Sequence, residues 1–399
     1  MTSLLLVCLL SGSCASSRGF DSRLSSIVRP YRFSIAGWES KALLNEVSQL
    51  TSGKQGKIDD EVTKVTEYFS TVERIKTLRS EIQASSTDKG QSNTTLLEDE
   101  LSELQERKAA LAGMVEKIIE KQTRETLAKQ DIFNPIDKYI RSKVSFPPVN
   151  FRLEKPPHLL VISPRDRIES MREILLKQET SLEEMEDIEA KVDELDVSSL
   201  VVELGGLAMY PNVVTNEASL RFTVDAVTEE WLHQYLVFKP LGFRYLLDLL
   251  GVSRNYEIAT MNETLAGMVS KEIGAIVRET YYPEHKNSVN QKASPGFDFN
   301  REMREIRRAV DKYLAEGEIE QAEEFMEQKR QYLATKGYYI RKLNQAYFAF
   351  YGTYADRPTS ISPIGLELKK LRSQSASLKG FLNTAAAMTS REDLRMSIK

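Results

Sequence analysis

Four side chains in this chain have the types and spacing to hold a metal ion and put it to use. Glu229, Glu230 and His233 lie in Thr228-Glu229-Glu230-Trp231-Leu232-His233, and Glu263 lies in Met261-Asn262-Glu263-Thr264-Leu265-Ala266. On a helix, residues i and i+4 share a face, so Glu229 and His233 can grip one ion. Glu230, beside the first ligand, is placed to take a proton from water. Glu263, from a second element, would complete three protein ligands and leave a fourth position open. The plainer reading is that Glu-x-x-x-His is a common helix-face pair, in a chain with 58 Asp and Glu. The company of the pair argues the other way. Trp231, Leu232, Tyr235, Leu236 and Phe238 mark the helix as buried. A lone His with three carboxylates on a buried helix pair is costly unless something compensates it.

The elements that must carry these groups can be read from periodicity. The motif helix is expected over 225–238, capped by Asp225 or Thr228, with Pro240-Leu241-Gly242 ending it. A helix is expected over 243–250 and another over 261–281, with Asn262 at its start. Upstream, His158–Ile162 and Ser198–Pro211 read as strands, and Ala218–Val224 alternates well enough to pair with the second of them, with 211–217 as the turn. Residues 168–195 read as an acidic helix, and 299–336, 338–352 and 364–387 as further helices. Residues 57–129 carry apolar positions at helical intervals on either side of a polar break at 85–95. They read as an antiparallel helical hairpin of coiled-coil character whose charge is a solvated face. An amphipathic helix is expected from Trp38 onward. The order of helices, a small sheet and helices again is an α+β pattern, mostly helical, with the long hairpin inserted.

With these residues in view, the segment 198–282 resembles the gluzincin class of zinc metallopeptidases. Their pattern is His-Glu-x-x-His on one helix and a Glu on a second, often within an Asn-Glu-x-x-Ala string. The resemblance implies a metallopeptidase-like core over 131–399, with Glu230 as general base and His233 and Glu263 as metal ligands. It also implies that the strand Gly205–Tyr210 holds an extended peptide by β-augmentation, with Gly205, Gly206, Leu207 and Ala208 as the binding residues. Tyr347, Tyr351 and Tyr354 are candidate oxyanion donors, with aromatic packing as the alternative.

The chain departs from that pattern at the first ligand, where Glu229 stands in place of His. It has only three histidines, His158, His233 and His285, so no two-His site forms on this helix. Carboxylate is an acceptable zinc ligand. Two anionic ligands, however, weaken the ion as a Lewis acid and favour oxygen-preferring ions, so the expected cofactor is zinc with manganese as the alternative. The rival functions are a pseudopeptidase that binds peptide without cutting it, and a structural, envelope-associated protein working through a hairpin that can be removed from a folded core.

The whole chain bounds the partners. At 399 residues, 41% hydrophobic and 28% charged, it can bury a sizeable core. A net charge of -4 with no dominant basic block excludes the footprint of a nucleic-acid binder. Both cysteines, Cys8 and Cys14, fall before residue 15, so the body has neither disulfides nor a thiolate metal site. Leu4–Leu10 followed by small residues reads as a signal segment within 1–20. That implies export, with Cys14 as a lipidation site and membrane tether or Ala15 as a plain cleavage point. Residues 21–56 are expected to form an N-terminal helical part of the core, and 57–130 the hairpin.

Overall fold

The computed structural model describes residues 15–35, 37–38, 58–87, 91–136, 143–284 and 296–398. Cys8, Cys14, the apolar run before them, His285 and most of the helix expected after Trp38 lie outside the described residues. The class is α+β and mostly helical, with two small three-stranded sheets rather than one. No helix among the described residues is long and apolar enough to cross a membrane.

Helix α1 (Ala15–Val28) leads into the hairpin of α2 (Ile58–Thr87) and α3 (Gln91–Lys129). After it come β1 (Phe151–Leu153), β2 (His158–Pro164), β3 (Arg172–Leu176), α4 (Leu182–Asp193), β4 (Val197–Glu203), β5 (Gly206–Leu207) and β6 (Asn212–Val214). The remainder is helical: α5 (Leu220–Leu236), α6 (Pro240–Leu249), α7 (Tyr256–Tyr281), α8 (Phe299–Ala315), α9 (Ile319–Thr335), α10 (Gln345–Gly352), α11 (Pro363–Gln374), α12 (Leu378–Ala386) and α13 (Arg391–Ser397).

The sheets differ in role. One has β2 at its centre, antiparallel to β3 and β4. It packs Leu160, Ile162 and Val201 against α1 and α4 on one face, and Leu159, Val161, Leu200 and Val202 against Ala346 and Tyr347 on the other. The second has the order β1-β6-β5, with β1 parallel and β5 antiparallel to β6. Its β1 edge is sealed by α3. Glu116 accepts from the Leu153 N–H at 2.8 Å and Glu120 from the Phe151 N–H at 3.2 Å. Burial pushes both carboxyls up, and these backbone bonds pull them back. Among the described residues, the other edge, β5, carries no further strand.

Helix α7 is the centre of the main core. Ile258, Met261, Leu265, Val269, Ile273 and Val277 recur at three- and four-residue steps and are buried. Helix α5 lies along it with Val224, Val227, Trp231, Leu232 and Tyr235 turned inward. The Trp231 indole N–H donates to the Pro147 carbonyl at 2.7 Å, which anchors the loop before β1 to the motif helix. The hairpin is not an appendage. Val115, Ile118, Ile119 and Leu127 of α3 belong to this same core, and Tyr282 donates to the buried Gln122 at 2.6 Å.

Several expectations give way to local chemistry. Residues 218–224 do not form a strand. Ser219 caps α5 through the Phe222 N–H, and Leu220, Val224 and Val227 then fall on one buried face. The partner of β5 is β6, inside the segment expected as a turn. Asp225 and Thr228 therefore lie inside the helix, where Asp225 pairs with Arg278 at 2.6 Å and Thr228 bonds back to the Val224 carbonyl. The acidic stretch 168–195 is a strand followed by α4, because Ser181 and Glu184 form a capping box that starts the helix there. Gly317, at φ +78, divides 299–336 into α8 and α9. Asn344 caps α10, so the helix expected from 338 begins only at Gln345. The stretch expected as one helix over 364–387 is broken between α11 and α12, with Ser377 capping the second. Helix α6 begins at Pro240, which suits a first helical position, so that residue starts an element as well as ending one.

Gly242 lets α6 turn tightly onto the end of α5. A methyl group there would meet the backbone carbonyl of Leu236. Gly242→Ala is expected to destabilise the fold by about 1–3 kcal/mol through overpacking, read as a lower Tm with an unchanged far-ultraviolet spectrum.

Candidate metal centre

The α5–α7 pairing brings three of the four expected residues together, Glu229, His233 and Glu263, and the fourth, Glu230, acts on His233 through its charge. Ligand atoms of Glu229, His233 and Glu263 all lie within 4.8 Å of one another. His233 comes from the last turn of α5 and Glu263 from the second turn of α7. The two are tied by a contact the sequence did not announce. His233 Nδ1 lies 2.9 Å from Oδ1 of Asn262, which is fully buried. An amide oxygen there accepts from Nδ1–H, which leaves Nε2 with a lone pair. Nε2 faces Glu263, 3.7 Å from Oε2. The other carboxylate oxygen of Glu263 accepts from the Tyr245 hydroxyl of α6 at 2.5 Å. Both outer residues thus orient a candidate ligand.

Glu230 lies about 100° around the helix from Glu229 and points to the sheet. Its carboxylate occupies the space that a side chain at Gly206 would need. That contact gives Gly206 a reason: any larger residue would push Glu230 aside. The next residue along, Gln234, donates to Met209 O at 2.5 Å and to Asn212 Oδ1 at 2.7 Å. It fastens the β5–β6 turn to α5. The expected substrate strand 205–210 is shorter than anticipated: Gly206 and Leu207 form β5, with Gly205 and Ala208 flanking it.

Charge is unbalanced here. Among the described residues no Lys or Arg forms an ion pair with Glu229, Glu230 or Glu263. Burial, followed by effects of the neighbouring charges, raises Glu229 to about 7 and Glu230 to about 8. Burial pulls His233 down, but Glu263, Glu230, Glu229 and the Asn262 bond outweigh it and leave the imidazole raised. Two tyrosines complete the wall. Burial, and then the field of Glu263, holds both Tyr245 and Tyr354 well above the ordinary phenol value, so both remain O–H donors. Glu173 of β3 adds its charge from the sheet side; burial raises it, and Glu263 adds to that.

Of the three candidate tyrosines, Tyr354 is the one that feels all of Glu263, Glu229 and Glu230. Tyr347 and Tyr351 pack against each other at a tilt, with centroids 4.6 Å apart, and line a neighbouring cavity. His158 sits on β2 against the Lys177 carbonyl and Glu203, outside the cluster. Tyr245, Asn262, Gln234 and Glu173 are the contributors that sequence reading did not assign. Only Asn262 had a signal, its place in the Asn-Glu-x-x-Ala string. Helix crossings and the position of β3 bring in the others.

The donor set fits a divalent cation. It offers one imidazole nitrogen of fixed tautomer and two carboxylates at converging positions, with a net negative surplus that a cation would neutralise. No family model, no curated protein and no solved structure matches this chain.

A pH test follows from the raised carboxyls. In metal-free protein the folded state keeps protons on Glu229 and Glu230 that the unfolded chain releases near the ordinary carboxyl value. Stability then falls as pH rises from about 4.5 toward about 8 and levels off above it. The raised His233 acts in the same direction. Glu230→Gln should give chelator-treated protein a shallower decline of Tm between pH 5 and 8 than wild type; parallel curves would remove Glu230 as a buried acid.

Proposed function

We propose that this chain is a metal-dependent hydrolase of the gluzincin peptidase type, acting on peptide bonds. The observation that carries the reading is the convergence of Glu229, His233 and Glu263 with Glu230 lying on Gly206 of a free strand edge. Glu229, His233 and Glu263 would hold the cation. A bound divalent ion supplies Lewis acidity toward water and carbonyl oxygen. Everything else falls to the chain. An extended peptide adds to β5, whose opposite sheet edge is already closed by Glu116 and Glu120. Glu230 takes a proton from the attacking water. The water oxygen bonds to the carbonyl carbon, the C–N bond breaks, and Glu230 returns the proton to the leaving amine. The Tyr354 hydroxyl, a standing donor beside the cluster, suits the developing oxyanion. Tyr245 and Asn262 hold Glu263 and His233 in orientation.

Zinc is the first expectation for the ion and manganese the second, since two of the three ligands are carboxylates. The same feature favours a second reading, peptide binding without hydrolysis, because a carboxylate at position 229 weakens the ion that does the polarising.

The experiment is metal content by mass spectrometry together with turnover of a mixed peptide library. Wild-type protein should carry one equivalent of metal, and His233→Ala should lose it. Glu230→Gln should keep the metal and lose turnover by about 100-fold or more, the scale of a missing general base. Metal retention in His233→Ala would sink the ligand assignment. Full peptide binding without turnover in loaded wild type would select the second reading.

A further inference from the structure

Beside the cluster lies a cavity of about 600 Å³. Its wall is basic and aromatic: three arginines, Arg307, Arg357 and Arg391, face one acid, Glu257, with Phe299, Tyr347, Phe348 and Tyr351 among the rings. Two of the arginines are already neutralised. Arg307 binds both oxygens of Asp311 at 3.0 Å. Arg391 binds Glu367 at 2.9 and 3.0 Å and Glu257 at 2.9 Å. Arg357 forms no ion pair among the described residues. Its guanidinium stacks on the Tyr354 ring, 4.2 Å from the centroid.

The segment that carries Arg357 is built onto the metal-ligand helix. Thr264, next to Glu263, donates to the Thr353 carbonyl at 3.2 Å and accepts from the Ala355 N–H at 3.0 Å. Gly365 of α11 lies directly on the Ala355 carbonyl, where a side chain would collide. Gly267, one turn along α7 from Glu263, faces the carboxylates of both Glu229 and Asp356, at 3.7 and 3.8 Å from its would-be side chain. Asp356 is itself held by Lys271. The cluster therefore has two different flanks. Glu230 meets the strand edge at Gly206, and Glu229 meets the segment bearing Arg357. A peptide that lay on β5 and reached past the cluster would meet the segment bearing Arg357 on the Glu229 flank.

We propose that Arg357 takes the terminal carboxylate of the substrate, so that this site cuts peptides within one or two residues of a free C-terminus, with an apolar or aromatic last side chain against Phe348 and Tyr351. The proposal rests on the hydrolase reading above. An unpaired guanidinium offers two parallel donors to a carboxylate, and here it lies exposed at the wall of a cavity whose one lining acid, Glu257, is engaged by Arg391. The charge of Arg357 reaches the cluster, since it acts on Glu229 and Tyr354.

The test uses two blocked peptides of one sequence, one ending in phenylalanine as the free acid and one as the amide, with metal-loaded full-length protein. Wild type should favour the acid in kcat/KM by about 10- to 100-fold, the scale of a hydrogen bond to a charged group. Arg357→Gln should bring the ratio close to one, and Arg357→Lys should recover part of it. Equal rates on the two peptides in wild type, or an unchanged ratio in Arg357→Gln, would overturn the proposal. If loaded wild type cuts neither peptide, the hydrolase reading fails, and calorimetric binding of the same pair decides the carboxylate site. Preference for the acid that vanishes in Arg357→Gln supports it, and equal affinities overturn it.

Discussion

The structure depends on one packing relation, the burial of α5 along α7. Helix α7 is apolar on most of its circumference, so it must be surrounded, and α5, α6, α3, α11 and α12 all lean on it. The polar exceptions on its buried surface are Thr260, Asn262, Glu263, Thr264 and Ser270. His233 meets the Asn262 side-chain oxygen, Tyr245 meets Glu263, Thr264 holds the 353–355 segment, and Thr260 and Ser270 bond within their own helix, while the Asn262 side-chain nitrogen is buried without a hydrogen-bond partner among the described residues. The geometry of the candidate site and that of the core are therefore one arrangement. A shift of α5 along α7 by one residue would break the His233–Asn262 bond and separate the candidate ligands together.

Much of this was legible in the residues. The hairpin periodicity, the i and i+4 placement of Glu229 and His233 and the later Glu263 all survive in three dimensions. What could not be read was set by partners far along the chain. Tyr245 reaches Glu263 because Gly242 lets α6 pack closely on the end of α5. Glu173 faces the cluster because residues 172–176 find a strand partner in β2, although their composition suits a helix equally well. Ser219 and Gly317 show the complementary failure. A single capping hydroxyl or a single left-handed glycine moved an element boundary that hydrophobic spacing had drawn elsewhere.

Electrostatics gives the site its tension. Three carboxylates share the cluster with one imidazole, and two of them are pushed toward neutrality. Such a group is costly to keep charged in the absence of a cation, and a bound cation would relieve that cost. Glu229 sharpens this. A His at that position would lower the surplus and ease the metal-free state, while a Glu raises the reward for binding and lowers the acidity the ion can induce.

The sealed edge of β1 carries a consequence for the molecule's behaviour in company. Glu116 and Glu120 cover backbone donors that would otherwise invite a strand from another chain. Their helix is the inner half of the long hairpin, so the hairpin acts as a stopper as well as an arm. Excising 57–130 would therefore not yield a trimmed version of the same core. It would leave an open sheet with two uncovered borders, β5 and β1, and such a fragment is a candidate for self-assembly into ribbons.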